Sequence, residues 1–117
     1  MAFIDGCVAA AKTAEKDAYT DFAKAMGAVF REYGATGVVD AWGVDVPEGK
    51  LTSFPMAVKA EPGETVIFSW VTWPSKEVRD EAWPKIMADP RMSPENGEMP
   101  MDGKRMIFGG FEVIAEA

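Results

Sequence analysis

Apolar and polar residues follow two different periods along the chain. Four stretches are predicted to be β-strands, and the first two of them show the period of two that is typical of strands. These stretches are residues 2–10, Val38–Val46, Glu64–Trp73 and Arg105–Glu116. The third stretch is apolar at nearly every position, which indicates a strand that is buried on both sides. The fourth contains Gly109 and Gly110, and paired glycines within a strand predict a bulge or a close approach of another group.

Apolar residues three, four and seven positions apart predict a long helix after the first strand. Its apolar stripe consists of Tyr19, Phe22, Met26, Val29, Phe30 and Tyr33. Thr13 is expected to cap the start of this helix, and Gly34 is expected to end it. The stripe is expected to face the core of the protein.

A second helix is predicted between the third and fourth strands, with Ser75 as its N-cap. Its expected core positions are Val78, Ala82, Ile86 and Met87. Pro84 is expected to kink this helix or to begin a fresh turn, because proline lacks the amide hydrogen that a helix needs. Asp89 and Pro90 are expected to end it, since a residue before proline avoids the helical conformation. Residues 91–103 are then predicted to form a loop.

The predicted order is strand, helix, strand, strand, helix, strand. This order indicates a ferredoxin-like α+β sandwich, formed by one domain over residues 1–117. Two helices cover only one face of such a sheet, yet the predicted strands are apolar on both faces. We therefore expect a homodimer in which a second copy covers the other face. The loop Asp45–Pro55 is expected to be a lid over a cavity or a fixed arm that grips the partner. The prolines and glycines of the long connection Pro47–Gly63 favour the arm.

Composition excludes several classes of partner. The net charge of −7 disfavours both nucleic acid and an anionic membrane surface as partners. No apolar stretch approaches the roughly 20 residues that span a bilayer, and residues 2–11 lack the basic start of a signal peptide. Cys7 is the single cysteine, so no internal disulfide can form, and a reduced cytoplasm is the expected location.

The chain contains no histidine. This absence excludes Ser-His-Asp and Cys-His nucleophilic machinery, histidine-ligated haem and the iron site built from two histidines and one carboxylate. A zinc site that needs a pair of cysteines is excluded as well. We therefore expect neither a metal nor a cofactor, and acid–base chemistry must depend on Asp, Glu, Lys, Tyr or Cys7.

Asp5, Asp40 and Ser69 are the polar residues that interrupt otherwise apolar strands. A carboxylate on a covered face of a sheet loses water, which raises its pKa and suits it to act as a base or an acid. Asp5 and Asp40 are therefore the candidate catalytic residues. The alternative, which we favour, is that they accept structural hydrogen bonds or pair with Lys104 or Arg105.

Aromatic and cationic residues provide candidate ligand-binding positions. Trp42, Trp70 and Trp73 are placed to line a pocket for a flat aromatic molecule, together with Ser69. Their alternative role is packing in the core or in the dimer interface. Arg105, grouped with Lys104, Lys50 and Arg79, is placed to bind a carboxylate on a ligand, whereas the favoured alternative is surface ion pairs. Cys7 is expected to be a buried structural thiol.

Several motifs resemble those of a known family. They are Gly43 to Pro55, Glu64 to Trp70, Arg79-Asp80, Lys85 to Arg91 and Met101 to Phe111. On these motifs the chain resembles the YbaA-like family, a domain of unknown function within the dimeric α/β-barrel superfamily. It departs from the family pattern at Trp83-Pro84. The resemblance implies this fold and pairing, and it places the chain in a superfamily that includes cofactor-free monooxygenases, small-molecule isomerases and ligand-binding modules without catalysis.

Two functions follow as expectations. The first is a cytoplasmic homodimer that binds or transforms a small apolar or aromatic molecule without a metal cofactor. The second is a non-catalytic dimeric module with a regulatory or stress-related role. A cavity of roughly 300 Å³ or more with a carboxylate pointing into it supports the first, and a filled interior supports the second.

Overall fold

The structure is a computed structural model, and it describes residues 2–93 and 99–117. The strands are β1 (Phe3–Lys12), β2 (Gly37–Trp42), β3 (Glu64–Trp73) and β4 (Ile107–Glu112). The helices are α1 (Lys16–Glu32), α2 (Phe54–Ala57) and α3 (Lys76–Met87), with short 3₁₀ turns at Thr13–Glu15 and Pro90–Met92. The expectation of a loop at 91–103 falls partly outside the described residues.

The four strands form one sheet in the order β2-β3-β1-β4, and every neighbouring pair is antiparallel. Helices and an antiparallel sheet together make an α+β fold, as predicted. The register places Ser69 of β3 between Asp40 of β2 and Cys7 of β1, and it places Phe108 of β4 next to Cys7. These four side chains therefore form one row across the sheet.

We call the face that α1 and α3 cover the helix side of the sheet. The main core lies there, and its buried members are Phe3, Val29, Ala35, Trp73, Ala82 and Ile86. Met26, Phe30 and Tyr33 pack against this core, which confirms the predicted stripe of α1. Met87 was expected to be buried with Ile86, but it is 66% exposed, because it lies at the last position of α3 on the outer face.

We call the opposite face the open side. At one end of this side, Val58 is fully buried against Val8, Ala10 and Val66, because α2 and the residue after it fold onto the sheet. The rest of this side remains partly exposed. Its exposed apolar residues are Val39 (40%), Phe68 (45%), Ile107 (45%) and Phe111 (61%). Within a single chain the burial of β3 is incomplete: Ile67 and Trp73 are buried on the helix side and Val66 on the open side, whereas Phe68 is exposed.

Two strands are shorter than predicted. β2 ends at Trp42, and Val44 is 93% exposed, although its apolar character continues the alternating pattern. Gly43 still donates a hydrogen bond to the carbonyl of Val66, and a Cβ atom at Gly43 would lie 2.7 Å from that oxygen. β4 begins at Ile107 because Arg105 belongs to a turn in which its amide donates to the carbonyl of Asp102.

The predicted ends of the helices are confirmed in part. Gly34 ends α1 with a positive φ of 113°, and Ser75 caps α3 by accepting a hydrogen bond from the amide of Val78. Thr13 does not cap α1, because its hydroxyl bonds with the hydroxyl of Thr65 instead. Pro84 does not begin a fresh turn, since α3 continues through it to Met87.

The connection between β2 and β3 contains a short helix that the sequence pattern did not predict. Ser53 caps α2 by accepting a hydrogen bond from the amide of Met56, and Pro55 occupies its first turn. Phe54 packs against Phe68 of β3 with their ring centres 5.9 Å apart.

The described helices include none that is long and apolar enough to cross a membrane.

Candidate functional site

A groove of about 500 Å³ runs between α1 and β2 on the helix side of the sheet. Asp40 and Trp42 line it from β2, since residues two apart on a strand point to the same side. Tyr19, Lys24 and Arg31 line it from α1. Asp40 and Trp42 were two of the candidate site residues, and the structure brings them together in this groove.

The groove has room because the facing positions of α1 are small. Ala23, Gly27 and Ala28 form this part of its wall. Gly27 is buried, and a Cβ atom there would make an ordinary contact of 3.6 Å with Val38. Larger side chains at these positions would fill the space between α1 and the strand.

A hydrogen bond joins the two walls of the groove. The hydroxyl of Tyr19 donates to Oδ1 of Asp40 at 2.6 Å. Tyr19 is buried, and this burial raises the pKa of its phenol above the ordinary value. The hydrogen bond to Asp40 raises this pKa as well. The phenol is therefore protonated at neutral pH. Within the described part of the chain, Oδ2 of Asp40 accepts no hydrogen bond, so this oxygen is available to a ligand.

Trp42 forms the aromatic wall at one end of the groove. Its ring lies 6.1 Å from the ring of Tyr19, and the ammonium of Lys16 lies 5.9 Å from its centre. Trp42 is half-buried, so part of its indole faces the groove. Such a surface suits contact with a flat apolar molecule.

Ser69 and Cys7 continue the row from Asp40 across the sheet. Burial raises the pKa of the Cys7 thiol above its ordinary value, a hydrogen bond with Ser69 opposes this rise, and the charge of Asp40 adds to it. The thiol is therefore protonated at neutral pH, which makes it a poor nucleophile.

Asp5 lies in a different place from Asp40. Its carboxylate accepts hydrogen bonds from Nε and a terminal nitrogen of Arg79, and from the indole nitrogens of Trp73 and Trp83. The shortest contact with Arg79 is 2.8 Å. Asp5 thus accepts structural hydrogen bonds, as the favoured alternative expected, but its ionic partner is Arg79 and not Lys104 or Arg105, because α3 places Arg79 above β1. This engagement is typical of a structural ion pair.

Trp70 and Arg105 lie outside the groove. Trp70 is on the open side of the sheet, where its ring lies 5.5 Å from that of Phe68. Arg105 contacts Glu64, Asp102 and the carbonyl of Lys59 at distances of 2.7 to 2.9 Å. Its ion pairs agree with the alternative that the sequence favoured for the cationic residues.

The sequence pattern missed several residues of the groove. Tyr19 was assigned to the core on spacing alone, although its hydroxyl needed a partner. Lys24 and Arg31 were not among the candidate residues, although both line the groove. One signal was available: Gly27 lies in the middle of α1, where glycine weakens a helix by about 0.5–1 kcal/mol relative to alanine, and such a residue often marks close packing or a site.

Comparison with known proteins identifies the family. Residues 2–103 match the family described as "Protein of unknown function (DUF1428)". The "Uncharacterized protein YbaA" of Escherichia coli (strain K12) is 53% identical over 116 residues, which cover 99% of each chain, and that of Shigella flexneri matches equally well. The solved structure of Rv0793 from Mycobacterium tuberculosis has a TM-score of 0.53 at 15% identity, over 100% of this chain and 99% of that one, and this likeness concerns the fold alone. The resemblance to YbaA is thus confirmed, and the chain belongs to the DUF1428 family of proteins of unknown function.

Proposed function

We propose that this protein binds, and in the catalytic form of the proposal transforms, a small apolar or aromatic molecule in the groove between α1 and β2. The observation that carries the proposal is a groove of about 500 Å³ with an aromatic wall and the carboxylate of Asp40, whose Oδ2 accepts no hydrogen bond from the described residues. Ligand sites are mostly apolar hollows of about 300–1,000 Å³ with few polar groups. The groove formed by Tyr19, Asp40 and Trp42 has this character.

The chemistry available in the groove is acid–base chemistry. Asp40 can accept a hydrogen bond or a proton from a ligand through Oδ2, while Tyr19 holds Oδ1. The carboxylate is exposed to the groove, so a ligand can reach it. We propose no metal and no cofactor for this chemistry.

A ligand screen by thermal shift tests the proposal. Ala28→Phe fills the groove at an exposed position, and Ala88→Phe places the same side chain at the exposed end of α3 as its control. A groove ligand stabilises the wild type and Ala88→Phe, whereas it fails to stabilise Ala28→Phe. Asp40→Asn is expected to change the response, and Asp5→Asn is expected to preserve it. If every ligand stabilises Ala28→Phe as much as the wild type, the groove is not the binding site and the proposal is wrong.

We also propose that the protein forms a ferredoxin-like homodimer of the dimeric α/β-barrel type. The antiparallel order β2-β3-β1-β4 supports this fold. The exposed apolar residues of the open side, above all Phe68 and Phe111, support a second copy as the cover of that face. Among the described residues, the central part of that side has no charged side chain, and Gly6, Val39 and Gly109 belong to it.

Sedimentation velocity with paired variants tests the assembly. Phe68→Lys combined with Phe111→Lys is expected to give monomers, since two buried ammonium groups on each face would lack partners. Phe108→Lys is the control: Phe108 lies on the same strand β4 but on the helix side, and it is 77% exposed. A wild type that sediments as a monomer at every concentration would overturn the proposal.

A non-catalytic dimeric module with a regulatory or stress-related role is the second candidate function. The open side favours it, because its exposed apolar area is independent of the groove. In that case the dimer forms while no ligand distinguishes Ala28→Phe from Ala88→Phe. A cytoplasmic location, with neither nucleic acid nor membrane as partner, belongs to both versions of the proposal.

A further inference from the structure

We infer that the groove selects an anionic aromatic ligand, which binds with its anionic group between Lys24 and Arg31 and a hydrogen-bond donor at Asp40. The inference rests on the proposed function, because it names the class of molecule that the same groove takes. Aryl carboxylates with a hydroxyl group at the far end of the ring are the simplest members of this class.

The inference depends on which arginines have a carboxylate partner. Arg79, Arg91 and Arg105 each contact at least one carboxylate at 3.0 Å or less. Arg31 is the one arginine that has no carboxylate partner among the described residues, and it lines the groove. In a chain with 19 acidic and 12 basic residues, an arginine that lines a groove and has no carboxylate partner among the described residues is suited to bind an anion from outside.

Lys24 reinforces this cationic part of the groove. It also lines the hollow, and within the described chain it forms no ion pair. Residues 24 and 31 are seven positions apart on α1, a rise of about 10 Å, so they lie two turns apart on one face of the helix. Their long flexible side chains can converge on one anion between them.

The other end of the groove fixes the orientation of the ligand. Asp40 is the one carboxylate among the described residues that line the groove, and it would repel an anionic group placed beside it. Tyr19 bonds to Asp40, whereas Gly27 lies near Val38, so α1 runs away from Asp40 towards Arg31. The anionic group therefore belongs at the end of the groove towards Arg31, and the ring lies between that group and Asp40.

Titration of a matched pair of probes by two-dimensional NMR tests the inference. The probes are 4-hydroxybenzoate and 4-hydroxybenzamide, which share a ring and a hydroxyl but differ in charge. The wild type is expected to bind the carboxylate about fivefold more tightly, since two partly exposed cations each contribute a modest attraction. This preference is expected to disappear when Lys24→Gln and Arg31→Gln are combined. The combination of Lys76→Gln and Lys85→Gln removes two positive charges from exposed positions of α3, and this variant is expected to keep the preference for the carboxylate probe.

The outcomes separate this inference from the proposed function. The wild type could bind the two probes with equal affinity while Ala28→Phe binds neither. The groove would then bind aromatic molecules without selecting their charge, and the inference would be wrong. Persistence of the preference in the Lys24/Arg31 double variant would also overturn it. Equal affinity of 4-methoxybenzoate and 4-hydroxybenzoate would overturn the contact with Asp40. If both probes and all screened ligands bind Ala28→Phe as well as the wild type, the proposed function itself fails.

Discussion

Gly110 lies directly against the ring of Phe3. A Cβ atom at Gly110 would be 2.6 Å from Cζ of Phe3 and 3.3 Å from a terminal nitrogen of Arg79. β4 has no bulge at this point, since Gly109 and Gly110 pair in continuous register with Gly6 and Asp5. The paired glycines therefore serve a close approach, which was one of the two alternatives that the sequence left open.

Gly110→Ala is expected to destabilise the protein by about 1–3 kcal/mol, because the new methyl group overlaps a buried ring and forces it to move. Gly109→Ala is the matched control. A Cβ atom there meets only the ring of Phe111 at 3.5 Å, an ordinary contact, so this variant is expected to be neutral or slightly stabilising. Urea unfolding of both variants measures the difference. Equal stability of the two would contradict the close approach.

Asp5→Asn is expected to destabilise the protein by about 2 kcal/mol, since it removes the charge that satisfies a partly buried guanidinium. The side chains of Asp5 and Arg79 are 14% and 25% exposed, so water replaces this ion pair only in part. Asp80→Asn breaks a second ion pair of the same arginine, but Asp80 is 44% exposed, and a smaller loss of stability than in Asp5→Asn is expected. Thermal and urea unfolding at pH 7 distinguish the two. A larger loss in Asp80→Asn would contradict this account of the cluster.

Much of the fold was predictable because burial repeats with the period of each element. β3 was predicted with its observed ends, since Gly63 and Pro74 enclose a continuous apolar run. β2 was predicted too long because Val44 extends the alternation, whereas the strand ends where its pairing with β3 stops, at Trp42 and Ile67. A contact between residues distant in the chain leaves no periodic pattern in the sequence.

The candidate site was predictable only in part for the same reason. Asp40 and Trp42 were found because they share one strand and one side. Tyr19 was not connected with Asp40, since the two residues are 21 positions apart and lie on different elements. Asp5 and Arg79 are 74 positions apart, and only the packing of α3 on the sheet brings them together.

Asp89 is expected to make the stability of the protein sensitive to acid. Its buried carboxylate accepts hydrogen bonds from the side chain and backbone of Arg91 and from the hydroxyl of Tyr33. These contacts hold the pKa of Asp89 well below the ordinary 3.8, and the contacts with Arg91 have the largest effect. A lowered folded-state pKa stabilises the protein above the unfolded value, and this contribution is lost as the pH falls below about 3.8. The free energy of unfolding of the wild type is therefore expected to exceed that of Asp89→Asn at pH 7. This gap between the two free energies is expected to close as the pH falls from 4 to 2.

Urea unfolding at several pH values measures that gap. Asp21→Asn is the control, because the exposed carboxylate of Asp21 forms no hydrogen bond or ion pair within the described residues. Its stability is expected to follow that of the wild type at each pH. A gap between wild type and Asp89→Asn that stays constant down to pH 2 would show that the carboxylate acts through packing and not through its charge.

The two tyrosines are expected to resist ionisation in the folded protein. Burial and the bond to Asp40 raise the pKa of Tyr19 above its ordinary 10.0, and the bond to Asp89 is the main cause that raises that of Tyr33. Groups with a raised folded-state pKa stabilise the fold below the unfolded value, so the protein loses stability as the pH rises above about 10. Absorbance at the phenolate band is therefore expected to rise near pH 10 in urea but later in the native protein. Asp40→Asn weakens the contact that raises the pKa of Tyr19, so the ionisation of Tyr19, one of the two tyrosines, is expected to move to lower pH in this variant. If Tyr19 in the native wild type ionises at pH 10, the hydrogen bond between Tyr19 and Asp40 is absent in solution.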